Sequence, residues 1–93
     1  MTALDKLIAE DVMKESHTHN YSRDVNSAFR VLDTLVEKGY GVAIDLNKED
    51  GCECVIINMK TLENIVVIEH KSTPMAICLA VEKLLRHSDW AED

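Results

Sequence analysis

Three groups of residues in this sequence have side chains that could do chemistry. The first is His17-Thr18-His19 taken together with Cys52-Glu53-Cys54. Imidazole nitrogens and thiolates are zinc ligands, and alternate residues of a strand share a face, so both sulfurs could point one way. Structural zinc sites leave at least two residues between paired cysteines, and here only Glu53 intervenes. The reading that needs no metal is a polar loop and two small apolar thiols, and no metal or cofactor is expected.

The second group could support acid, base or nucleophilic work. Cys78 is a thiol with His70 nearby in sequence, but a catalytic thiol needs a lowered pKa, and Cys78 falls on the apolar stripe of a helix. The carboxylate pairs Glu10/Asp11, Glu49/Asp50 and Glu92/Asp93 are what an acidic surface carries in any case. The sequence has no P-loop, no Gly-x-Gly-x-x-Gly, no nucleophile elbow and no His-Glu-x-x-His. An enzyme is therefore not the expectation.

The third group is a pair of short segments, Tyr21-Ser22-Arg23-Asp24 and Lys71-Ser72-Thr73-Pro74. Each sets hydroxyls and a cation at the start of a predicted helix, where free backbone N–H groups favour an anion. Tyr21, Ser22, Arg23, Lys71, Ser72 and Thr73 are thus the candidate ligand-binding residues. Plain helix capping by Ser22 and Thr73 explains the same hydroxyls without a ligand.

These residues must be held by elements that the sequence also outlines. The chain has 93 residues, a length that predicts one domain over 1–93. Hydrophobic residues make up 46% and charged residues 29%, enough of each for a folded core and a wet surface. The formal net charge of −7 repels phosphate backbones, which argues against nucleic acid as a partner. No apolar run is long enough to span a bilayer, no export signal is apparent, and the three cysteines read as reduced thiols. A cytoplasmic location and no membrane partner follow as expectations.

Helical spacing of Leu4, Leu7, Ile8 and Val12 predicts a helix over 2–14. Val25, Ala28, Phe29, Leu32, Leu35 and Val36 predict a second over 22–38, closed by Gly39. Apolar runs rich in β-branched residues predict strands over 41–46, 52–58 and 64–70. Their links, Asn47 to Gly51 and Lys60 to Asn64, are too short for crossovers and predict an antiparallel meander. Consecutive apolar residues in Val55-Ile56-Ile57 and Ile65-Val66-Val67-Ile68 predict a sheet covered on both faces. A third helix over 73–87 follows, with Ile77, Cys78, Val81, Leu84 and Leu85 as its core stripe. Met75 and Leu79 lie opposite that stripe and, with Trp90, are the candidate partner surface.

Three segments carry a resemblance: Ala3 to Met13 (ALDKLIAEDVM), Tyr21 to Ile44 (YSRDVNSAFRVLDTLVEKGYGVAI) and Ser72 to Leu85 (STPMAICLAVEKLL). With Cys52 to Asn58 between them, they resemble the phage ABA sandwich domain family. The chain departs from the family after Val12-Met13, where a Gly-Trp pair is missing. The resemblance implies a small phage or prophage accessory protein of the α+β class. Its fold would be a three-layer α/β/α sandwich, a three-stranded antiparallel sheet with helices on both faces. It implies no catalytic residues.

The function expected is non-catalytic: a phage accessory protein that binds a host factor, with counter-defence as the setting. One alternative is a small-molecule sponge that sequesters a host nucleotide signal, a small anionic ligand. A second is a metal-dependent nucleotide hydrolase using His17, His19 and nearby carboxylates. A homo-oligomer is expected in each case, because a domain this small covers spare apolar surface by self-association.

Overall fold

The computed structural model describes residues 2–47, 51–87 and 90. The carboxylate pairs Glu49/Asp50 and Glu92/Asp93, and most of the Asn47 to Gly51 turn, lie outside the described residues.

Thr2 caps α1 (Ala3–Ile8): its hydroxyl accepts from the Asp5 N–H while the Asp5 carboxylate accepts from the Thr2 N–H. The helix widens into a π-helical turn (Ala9–Met13) and ends at Lys14, whose φ of 53° reverses the chain. The single helix predicted over 2–14 is therefore this α-plus-π element.

The second helix, α2 (Val25–Glu37), starts later than the sequence suggests. Ser22 is not its cap. The Ser22 N–H is drawn to the Asp5 carboxylate at 2.8 Å, and Asp24 caps the helix through the Asn26 N–H and the Ser27 hydroxyl. Strands β1 (Tyr40–Asn47), β2 (Gly51–Asn58) and β3 (Glu63–His70) then form the expected antiparallel meander in the order β1-β2-β3. The last helix, α3 (Thr73–Leu85), is capped by Ser72 rather than Thr73, with the Ser72 hydroxyl accepting from the Met75 N–H. Hydroxyls stand at both positions, and the one whose backbone stays extended takes the cap.

Helices α2 and α3 make one layer on the sheet. α2 packs on β1, α3 packs on β2 and β3, and α2 and α3 pack on each other. α1 rests on α3. Ile8, Val12, Val31, Leu35, Cys54, Ile56, Val66, Ile77, Val81 and Leu84 are buried together. Each fully buried aliphatic side chain here contributes ~1.5–3 kcal/mol before entropy is subtracted.

The α+β class, three helices and a three-stranded antiparallel sheet, is as the sequence predicts. The cover of the second face takes a different form. In the single chain Ala43 and Val67 stand exposed on the face opposite Cys54 and Ile56. The first helix is too short to be stable alone and has gone to α3 instead.

Candidate functional site

The anion candidates divide by burial. Tyr21 and Ser22 are buried while Arg23 is exposed. The N–H that was to meet a ligand at Ser22 meets Asp5, itself fully buried. Asp5 Oδ2 accepts from the Thr2 N–H and hydroxyl, each at 3.0 Å, and Oδ1 accepts from Ser22. Burial pushes this carboxyl's pKa up, but the bonds from Thr2 and Ser22 outweigh it and hold it below the usual aspartate value. The anion at this position is thus the chain's own. Sequence reasoning missed Asp5, although the Thr2-x-x-Asp5 spacing of a capping box was there to find.

Tyr21 faces a second network. Its hydroxyl donates to Glu15 Oε1 at 2.5 Å, Arg30 donates to Glu15 Oε2 at 3.0 Å, and His19 Nε2 lies 4.0 Å from the same oxygen. The Tyr21 bond leads in holding the Glu15 carboxyl below its usual range. Burial, then the Glu15 bond and charge, push the Tyr21 phenol far above its ordinary value, so it stays a donor.

At the other segment, Lys71 is exposed, and Ser72 and Thr73 are half-buried. The Ser72 N–H donates to His70 Nδ1 at 3.0 Å, and its hydroxyl caps α3. The fold itself uses the hydroxyls of Tyr21 and Ser72, the Ser22 hydroxyl is buried without a hydrogen-bond partner, and Arg23 and Lys71 are exposed.

Met75 and Leu79 are half-buried on the helix that α1 packs against. Trp90 stacks on Tyr40 at 6.1 Å with Lys38 Nζ 5.4 Å from its ring, which seals one end of the core. Among the described residues, no group of three or more His, Cys, Asp or Glu side chains is placed to hold a metal. Cys54 and Cys78 are fully buried, and burial pushes both thiols up to about 12, the inert condition.

The open sheet face is where unused chemistry gathers. Strand pairing sets Asp45, Glu53 and Glu69 side by side in one row, and Ala43, Val55 and Val67 in the next. Beyond them, Met59 Sδ lies over Gly41, 2.5 Å from where a Cβ would stand. A carboxyl–carboxyl hydrogen bond with Glu69 leads in raising the Glu53 pKa, with burial and then the charges of Glu69 and Asp45 behind it. An apolar centre bordered by crowded carboxylates suits contact with a complementary protein surface. The alternation along each strand held this face in the sequence, but the long apolar runs concealed it.

A small helix-on-sheet domain with one open sheet face is the class these observations define. Residues 4–81 match the model of the phage ABA sandwich domain, and the chain belongs to that family. No curated protein and no solved structure matches the chain. Among the described residues, no helix is long and apolar enough to cross a membrane.

Proposed function

We propose that this phage protein is a non-catalytic accessory factor that binds a host protein through the open face of its sheet. The observation that carries the reading is the apolar row of exposed Ala43, half-buried Val55 and exposed Val67 beside Asp45, Glu53 and Glu69. The partner it fits has an apolar contact patch flanked by lysine or arginine, and the setting is the bacterial cytosol, with counter-defence as the biological role. The sponge reading has less support, because the Ser22 N–H already holds Asp5. The hydrolase reading has less as well, because among the described residues His17, His19 and the carboxylates near them do not come together in a group that could hold a metal.

The test compares wild type with Val67→Lys and with Glu53→Lys/Glu69→Lys as baits in host lysate. A host protein retained by wild type and lost from both variants, with their thermal melts intact, is the expected result. Equal recovery on all three baits overturns the reading.

A further inference from the structure

The two edges of the sheet are guarded unequally. β3 carries Glu63, Glu69 and His70, and its pairing with β2 is interrupted by a bulge at Ile56/Ile57. Charges and bulges both discourage the addition of another strand. β1 has eight residues in unbroken register with β2, a single charge at Asp45, and the apolar Val42, Ile44 and Leu46. Among the described residues, its outer edge has no neighbouring strand in the sheet order.

The helix above that edge supplies a second observation. α2 packs on β1 while α3 packs on β2 and β3, so α2 sits at the sheet's margin. Val25, Phe29 and Val36 form a stripe on α2 at helical spacing, bordering the buried Leu32, and are 40%, 43% and 56% exposed. They belong to the apolar arc the sequence marks for the core, yet they are exposed. Leu46, near the end of β1, is 69% exposed.

We propose that a second copy of this chain pairs antiparallel with β1, making a continuous six-stranded sheet, and that the Val25–Phe29–Val36 stripes of the two α2 helices pack across the junction. Charge selects a second copy as the occupant. Each chain carries −7, so a surface made for a basic partner would be acidic, whereas one made for an identical chain must be neutral. The stripe bears no charge. With the two-fold axis at Ala43, Val42 faces Ile44 of the other copy and Asp45 faces Gly41, so no carboxylate opposes another. The open sheet face stays free in this pair, so the inference stands apart from the host-protein reading.

The experiment is sedimentation equilibrium across a hundredfold range of concentration on wild type, Phe29→Lys, Ala43→Lys, Ala43→Asp and an equimolar mixture of the last two. Wild type is expected as a dimer whose dissociation constant rises at least tenfold in each single variant, with circular dichroism unchanged. The lysine–aspartate mixture is expected to recover the dimer, because opposite charges then meet at the axis. A monomeric wild type, or a dimer indifferent to both Phe29→Lys and Ala43→Lys, overturns the proposal.

Discussion

Asp5→Ala tests the central structural claim, that a buried carboxylate ties α1 to the segment leading into α2. The substitution removes three accepted hydrogen bonds, two from Thr2 and one from Ser22. The Ser22 N–H is then left without its partner in a buried position, which costs ~1–3 kcal/mol. Loss of the capping box adds ~1 kcal/mol. The expected total is ~2–4 kcal/mol, read as a lower urea midpoint with an unchanged m-value. In a domain of this length each kcal/mol lowers the melting temperature by ~4–8 °C. Asp5→Asn retains an acceptor for Ser22 and is expected to lose about half as much. The pH dependence gives a second check. Because the native pKa lies below the ordinary value of 3.8, the charged form stabilises the fold fully above that value. That contribution is lost as pH falls through the lower native pKa, so the gap between wild type and Asp5→Asn should close in acid. An alanine variant within ~0.5 kcal/mol of wild type at pH 7, the range of an ordinary surface change, would refute the argument.

Tyr21→Phe keeps the buried ring and leaves the Glu15 carboxylate with Arg30 and the more distant His19. A loss of ~1–2 kcal/mol in chemical denaturation is expected, whereas Arg30→Ala, which breaks an exposed pair, should cost under ~1 kcal/mol. Cys54 and Cys78 should resist a disulfide-exchange reagent in the native protein, and all three thiols should react once it is unfolded. Gly51→Ala meets backbone atoms of His70 and Lys71 at 2.5 Å and sits at a φ of +97°, so it should fold poorly. Gly41→Ala meets the flexible Met59 side chain at 2.5 Å and Ile57 Cβ at 3.3 Å rather than backbone and should cost ~1 kcal/mol or less, a contrast that thermal melts would show. Glu53→Gln should raise the melting temperature at pH 7. The native carboxyl titrates above 4.5, so its charged form disfavours the fold as pH rises, and the difference should disappear in acid.

The sequence marks the helices and strands because their patterns are local. Ile77, Cys78, Val81 and Leu84 repeat at helical spacing, and all four are buried. On α2 the same reasoning chose Val25, Phe29 and Val36 for the core, and these are exposed while Val31 is buried. Periodicity locates an apolar arc, but the neighbour decides how much of it is covered, and β1 lies at the margin of the sheet. The runs in β2 and β3 predicted cover on both faces and could not say whether one chain provides it. Asp5 escaped notice because its decisive partner, Ser22, is 17 residues away. The stack of Trp90 on the Tyr40 ring was equally out of reach, because the two residues are far apart in sequence.

The central place of β2 has a kinetic meaning. It is paired on both sides, and both of its partners adjoin it in sequence, so each ladder closes a short loop at little entropic cost. Amide hydrogen exchange should accordingly be slowest at Cys54, Val55 and Ile56, which would open only with the whole molecule. The amides of α1, fastened at a distance through Asp5, should exchange through a smaller and earlier opening.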